Sequence, residues 1–371
     1  MGSSVVRELR ESLAAIGNDY EDAWSLPGAF YTDHDWMAYE VRELFHKQWI
    51  PVGLEQEVAA PGDYFTYDAC GEPVLVVRGE DGVLRCFANV CRHRGMQVAS
   101  GRGKLRQFKC PYHHWGYRLD GQLKSAPRMQ AHKSFDPATC SLPQIPLKAW
   151  CGFLFICLGQ NPPDFEAPLA AAEALIRPYH LEQMQLRHLC EQTWNCNWKV
   201  LMENFMEGYH LSPLHRATLH KVNPTRLCKH LPAGDNHFGY QVGFSSRLPE
   251  ERIGHADLDE KAMDTCIMLA VPPGLAIGIG SDYSSFLCLQ PVSPARVRIK
   301  LGLIFHGDEW DQAVVDDAIR LFDETMAEDK AVLHSLQVNA SSRFQAPGPL
   351  APRDFEGTIF DLNRYLARQL A

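Results

Sequence analysis

Two short pairs of metal-binding residues carry the first chemical signal in this chain. Cys91-Arg92-His93 and Cys110-Pro111-Tyr112-His113 each supply one thiolate and one imidazole. Together they make a Cys₂His₂ set. Two cysteines on one iron and two histidines on the other is the donor set of a [2Fe–2S] centre, and neutral imidazoles raise its potential above that of an all-cysteine cluster. A structural zinc ion is the competing reading. Zinc sites generally pair Cys with Cys in one limb and His with His in the other. Here the types are mixed within each limb, and Cys-x-His is a tight spacing for two ligands on one tetrahedral ion. Two incidental pairs are the blandest explanation in a chain with 12 Cys and 16 His. The matching order of the two limbs, followed by Gly95 and by Trp115-Gly116, favours the iron–sulfur centre.

A second group lies between Asn195 and His215. Glu203, Glu207 and His210 fall at i, i+4 and i+7, so a continuous helix would put them on one face. His215 would then point away, but Pro213 disfavours helix at the residue before it, and a break there turns both imidazoles toward one point. Two histidines and one carboxylate with open positions form the facial triad of mononuclear non-haem Fe(II) sites. Taken alone, the pair weighs about equally against a helix end with two incidental histidines. The redox centre upstream tips the balance. The carboxylate is found by phase. Glu309 to Leu336 reads as one long helix, with Val315, Ile319, Phe322, Met326, Leu333 and Leu336 on an apolar stripe. Asp329 falls on that stripe, and a charge facing a core is costly unless paired or metal-bound. Asp329 is therefore the expected third ligand, with Asp323 in reserve. Glu328 is one step off the stripe.

These residues need elements to hold them. Asp35 to Gln48 reads as a short amphipathic helix. From Trp49 to about Leu158 the pattern becomes short apolar or alternating runs split by turns, such as Pro73–Val77 and Val83–Phe87, and Asp120-Gly121 is a hairpin signal. Both cluster limbs fall in loops of this all-β region. Gln160-Asn161-Pro162-Pro163 marks a boundary. Beyond it, Pro168–Tyr179 and Trp198–Leu211 read as helical, the stretch from about Phe238 to Phe305 as β-rich, and the fold class is α+β. The expected division is an N-terminal helical segment over 1–48 packing on the second domain, a cluster domain over 49–160 and a catalytic domain over 161–371.

Cys-Arg-His-Arg-Gly followed by Cys-Pro-Tyr-His-His-Trp-Gly resembles the cluster-binding signature of Rieske proteins. With Glu-Asn-Phe-Met-Glu-Gly-Tyr-His-x₄-His and Ala-Glu-Asp in a late helix, the chain from about Trp49 to Leu336 resembles the α subunit of Rieske non-haem iron ring-hydroxylating oxygenases. The resemblance implies an all-β Rieske domain, then a helix-grip (START/Bet v 1-like) catalytic domain with an antiparallel sheet, assembled as a head-to-tail homotrimer. It implies that Cys91, His93, Cys110 and His113 hold [2Fe–2S], and that one subunit's cluster reduces the neighbour's Fe(II), held by His210, His215 and Asp329, with O₂ as co-substrate. It also implies that an acidic residue three positions before the first iron-binding His bridges the two sites. That position is Glu207, where most members have Asp. A similar Glu occurs in relatives that act on quaternary ammonium compounds, the carnitine and betaine oxygenases. The expected reaction is hydroxylation or oxidative demethylation of such a small organic substrate, the alternative being mono- or cis-dihydroxylation of an aromatic ring. For a cation the aromatic candidates are Trp194, Trp198, Phe205, Tyr209, Phe238, Tyr240, Phe244, Tyr283 and Phe286.

Composition narrows the partners. At 371 residues, with 46% hydrophobic and 22% charged residues, the chain has the make-up of a globular protein with more than one core. A net charge of -9 argues against nucleic acid or an anionic membrane as partner. No apolar run reaches the ~20 residues of a membrane span. The first twenty residues lack a signal-peptide core, and the scattered cysteines show no disulfide framework, so a reducing cytoplasm is the expected location. No Gly-rich dinucleotide fingerprint occurs. The NAD(P)H-oxidising partner is thus expected to be a separate polypeptide, and the resemblance implies a flavin and iron–sulfur reductase, with or without a ferredoxin.

Overall fold

The structure, a computed structural model, describes residues 4–245 and 253–371. They form two compact units: residues 48–162, and residues 4–47 together with 163–245 and 253–371.

In the first unit, β-branched and aromatic alternation gives short antiparallel strands. Asp63–Ala69, Glu72–Arg78 and Leu84–Ala88 pair in succession, with Arg102–Lys104 and Gln144–Ile145 on the edges. A second sheet sets Phe153–Ile156 between Ile50–Leu54 and Leu147–Trp150. A third joins Phe108–Lys109, Gly116–Tyr117 and Leu123–Ser125, and the Asp120-Gly121 turn falls where the sequence places it. Leu75, Val77, Phe87, Phe108, Trp115 and Tyr117 pack into one core that also buries Cys91 and Cys110.

The larger unit is built on a seven-stranded antiparallel sheet. Cys228–Leu231, Phe238–Gly243, Thr265–Val271, Leu275–Ile279, Tyr283–Ser293 and Arg296–Phe305 form a meander, and its last strand pairs with Gln185–Trp194. The sequence signals for Cys266–Val271 and Val297–Phe305 lie within these strands. The long helix is Gln312–Ala340, capped by the Asp311 carboxylate, which accepts from Ala313 N at 2.9 Å. It starts and ends a few residues later than the apolar stripe predicts. Val315, Phe322, Met326, Asp329 and Leu333 are buried as expected, but Leu336 is 52% exposed and the buried phase passes to Gln337. Gln337 explains the exchange. Its amide donates to Tyr31 O at 3.0 Å and accepts from Asn197 N at 2.7 Å, so a polar residue is fully used there.

The N-terminal segment packs on this unit. The helix predicted over Asp35–Gln48 is an α-helix only over His34–Glu40 and then widens to a π-turn over Val41–Phe45. Its anchor is Glu40, which has no exposed surface. Glu40 accepts from Lys199 Nζ at 2.6 and 2.8 Å, from Trp36 Nε1 at 2.8 Å and from Trp198 Nε1 at 3.0 Å. Four charge-assisted or indole bonds thus satisfy a fully buried ion pair, the condition under which such a pair is tolerated.

Candidate iron sites

The two cluster limbs form loops with one backbone pattern. Cys91 N donates to Met96 O at 2.8 Å and Gly95 N to Cys91 O at 2.9 Å. In the other limb Cys110 N donates to Trp115 O at 2.9 Å and His114 N to Cys110 O at 3.0 Å. The fourth residue after each cysteine takes a positive φ: Gly95 at 77° and His114 at 60°. Glycine adopts that conformation freely, and His114 adopts it under strain. The shared pattern accompanies the approach of the two histidines. His93 Nδ1 and His113 Nδ1 come within 3.1 Å, a closeness that suits two nitrogens aimed at one metal centre. Both cysteines are buried and both imidazoles exposed, so the site has a sulfur end in the core and a nitrogen end at the surface. The His93 ring stacks on Trp115, with centroids 5.0 Å apart. Tyr117, fully buried, places its hydroxyl 3.3 Å from Cys91 Sγ and accepts from Arg92 N at 3.0 Å. A polar group aimed at a cluster sulfur is one of the protein's levers on potential. Sequence reasoning placed Tyr117 only in the hairpin.

The second site departs from the expected local structure while gathering the expected side chains. The helix predicted to reach Leu211 ends at Phe205, well before Pro213. Glu207 and His210 are therefore in a loop, and Glu203 does not share a face with them. Gly208 marks the reason. Its backbone lies so close to the strand Cys228–Leu231 that a Cβ there would sit 2.3 Å from Cys228 Sγ, and its N–H donates to Phe355 O at 2.9 Å. The Thr358 hydroxyl takes the freed carbonyl of Met206. Glu203 instead accepts from Tyr31 OH at 2.8 Å, and burial pushes its carboxyl up to about 7.

In that loop the Glu207 carboxylate accepts from the amides of Tyr209 and His210 and lies against His210 Nδ1. It thus shapes the turn and fixes the ring it contacts. His210, His215 and Asp329 converge, with one ligand atom from each within 4.8 Å of the others. Asp329 Oδ1 is 3.7 Å from His210 Nε2 and 3.3 Å from His215 Nε2. Asn204 Nδ2 donates to the same oxygen at 3.2 Å. Asp323 lies elsewhere on the helix, 3.6 Å from His188 Nε2 and half exposed. Glu328 is the residue phase reasoning set aside. It accepts from His215 Nδ1 at 2.6 Å and from the Thr218 hydroxyl at 2.7 Å. Its adjacency to Asp329 was the available signal: neighbouring helix positions reach the two sides of one imidazole.

The donor set suits a divalent iron. Each histidine offers Nε2 inward while a carboxylate orients Nδ1, the arrangement that fixes the tautomer of a metal ligand. His215 Nε2 is buried without a hydrogen-bond partner, as a nitrogen reserved for a metal would be. Burial lowers the affinity of His215 for a proton, but Asp329 and Glu328 outweigh it and hold the imidazole above its ordinary value. Such a site attracts positive charge, and a bound cation would displace that proton.

A cavity of about 340 Å³ opens beside the triad. Four of the aromatic candidates, Phe205, Tyr240, Phe244 and Tyr283, line it, together with Phe322 and Asp282. Trp194, Trp198, Phe238 and Phe286 are instead core residues, and Tyr209 is 52% exposed and stacked on Phe355. No Lys or Arg lines the cavity among the described residues.

An all-β unit presenting a Cys₂His₂ tip, joined to a helix-and-meander unit with a two-His, one-Asp centre, defines a two-centre iron oxygenase. Comparison with known proteins agrees. The Rieske [2Fe-2S] domain family matches residues 48–143, and the ring hydroxylating alpha subunit (catalytic domain) family matches residues 176–371. The chain belongs to the Rieske ring-hydroxylating oxygenase α subunits. It is 31% identical over 357 residues to the carnitine monooxygenase oxygenase subunit of Acinetobacter baumannii, covering 92% of this chain and 91% of that protein. It is 36% identical over 207 residues to the glycine betaine monooxygenase oxygenase subunit of Pseudomonas aeruginosa, covering 56% of this chain and 48% of that protein. The crystal structure of the quaternary ammonium Rieske monooxygenase CntA with L-carnitine superposes with a TM-score of 0.83 at 26% identity, covering 95% of this chain and 97% of that one. Naphthalene 1,2-dioxygenase from Rhodococcus shares the fold, with a TM-score of 0.83 at 20% identity over 100% of this chain and 99% of its own. The fold expected from the resemblance is thus the fold found. No described helix is long and apolar enough to cross a membrane.

Proposed function

We propose that the chain is the terminal oxygenase of a multi-component monooxygenase that hydroxylates or oxidatively demethylates a small quaternary ammonium compound. Cys91, His93, Cys110 and His113 hold the cluster, and His210, His215 and Asp329 hold the iron. When bound, these groups supply electron delivery and O₂ activation. Carnitine and glycine betaine are the substrates named for the relatives above.

The observation that carries the substrate class is the cavity lining. Aromatic faces attract a cation through their quadrupoles. Asp282 adds a carboxylate, and the described lining offers no opposing positive side chain. His210, His215 and Asp329 line the same cavity as Phe244 and Tyr283, so a methylammonium group bound there lies beside the triad. Glu207 orients His210. In a head-to-tail trimer it also accepts from His113 of the neighbouring subunit, which is exposed at the tip of its unit and able to donate. Electrons come from a separate flavin and iron–sulfur reductase.

The test is O₂ uptake by the reconstituted protein with a surrogate reductase. Quaternary amines should stimulate uptake and release aldehyde or hydroxylated product, while aromatic acids should not. Stimulation by aromatic acids alone would transfer the chain to the ring-hydroxylating alternative.

A further inference from the structure

The donor set of the iron triad recurs elsewhere in the larger unit. His180 and His255 approach Asp257 so that one ligand atom from each lies within 4.8 Å of the others. His180 Nε2 is 2.8 Å from Asp257 Oδ2, and His255 Nδ1, which accepts from Asp257 N at 3.2 Å, is 3.6 Å from the same oxygen. The two rings are close and tilted at 35° to one another, with centroids 3.8 Å apart. One carboxylate oxygen between two imidazoles is the arrangement that Asp329 makes with His215 and His210.

Three features distinguish this from a chance surface ion pair. First, the two histidines come from distant segments. His180 immediately precedes the turn Leu181–Gln183, held there by a left-handed backbone, and His255 and Asp257 lead into the helix Glu260–Met263. Second, a further imidazole attends the group. His306 lies edge-on to His255 with centroids 5.7 Å apart, and its buried Nδ1 has no hydrogen-bond partner. Third, the histidines remain partly shielded, at 21% and 24% exposure, although Asp257 reaches solvent. Glu182 adds negative charge 3.3 Å from His180 Nδ1. Crowded imidazoles repel one another when protonated, whereas a shared divalent cation binds their neutral forms.

We propose that His180, His255 and Asp257 form a second metal site, for one divalent ion of the zinc class. Imidazole and carboxylate donors suit Zn²⁺, and a three-ligand set leaves a position for water. The site stands independently of the substrate assigned to the cavity. Its place in the fold gives it a consequence. His306 N donates to Asp282 O at 2.8 Å, and Asp282 and Tyr283 line the cavity. An ion here ties the segment bearing His255 and Asp257 to the turn Leu181–Gln183, with His306 against the His255 ring.

The experiment uses the protein loaded with cluster and iron. Zn²⁺ is titrated calorimetrically, and iron content and the visible cluster spectrum are measured on the same sample. One Zn²⁺ per chain should bind with no loss of iron. His255→Gln and Asp257→Asn should each weaken binding at least tenfold while leaving iron content and spectrum unchanged. Co²⁺ in place of Zn²⁺ should give ligand-field bands that vanish in His180→Gln. Absence of binding, binding unaltered in all three variants, or zinc uptake matched by iron release would each overturn the site.

Discussion

Glu328 and Tyr117 touch His215 and Cys91, two of the proposed ligands, and each gives a prediction. Glu328 holds His215 through Nδ1, and partners of this kind typically contribute about 10–100-fold to metal affinity. Glu328→Gln should therefore lower iron occupancy in dialysed protein, read by metal analysis, while the cluster spectrum stays as it is. Retention of full iron under chelator challenge would show that Thr218 and packing suffice. At the other centre Tyr117 OH lies beside Cys91 Sγ. Hydrogen bonds to the sulfurs stabilise the reduced, more negative cluster. Tyr117→Phe keeps the ring that fills the core and removes the donor. Its potential should fall in a redox titration, with cluster content unchanged.

Elements transmit such local effects into stability. The N-terminal segment is fastened through Glu40 and Lys199, both fully buried. Removing one partner of a buried pair strands the other charge and costs about 3–5 kcal/mol, whereas replacing both with apolar residues can be near neutral. Glu40→Gln should lower the denaturation midpoint steeply, and Glu40→Leu combined with Lys199→Met should recover most of the loss. The neighbouring helix carries Glu203, whose carboxyl is raised from its ordinary 4.5 to about 7 because burial disfavours its charge. The folded chain then binds more protons than the unfolded chain between those values, so this group's contribution makes stability fall as pH rises across that window. Glu203→Gln should flatten that stretch of a melting-temperature profile. The same helix shows how far sequence could be read. The convergence of His93 with His113, and of His210 with His215, was legible because a shared donor pattern fixes residue types over short distances. Asp329 was legible because a charge on an apolar stripe needs a reason. The end of the helix at Phe205 was not, because it is set by the approach of Gly208 to the distant Cys228. Glu328 was missed because helical phase registers burial and says nothing of a neighbour that reaches around an imidazole. The exposure of Leu336 follows from Gln337, whose buried role depends on Tyr31 and Asn197 far away in sequence.

At the scale of the whole molecule, Glu207 is the residue on which the proposed assembly and turnover meet. Its carboxylate already shapes the Tyr209–His210 turn and contacts His210 Nδ1. In Glu207→Gln an amide can accept from one imidazole but not serve both well. That variant should assemble as a trimer with cluster and iron in place, yet single-turnover mixing of reduced protein with substrate and O₂ should show slowed cluster oxidation. Wild-type rates would sever the inter-subunit path. Substrate choice rests on other parts of the chain. The proposed iron triad comes from the loop after Phe205 and from the long helix, whereas Met268, Ser285 and Leu303 of the cavity wall stand on the meander. No ligand of that triad lies on a strand. Substitutions in the sheet can therefore retune which molecule fits while the oxidising centre keeps its geometry, and a lineage built on this scaffold is free to change diet without rebuilding its chemistry.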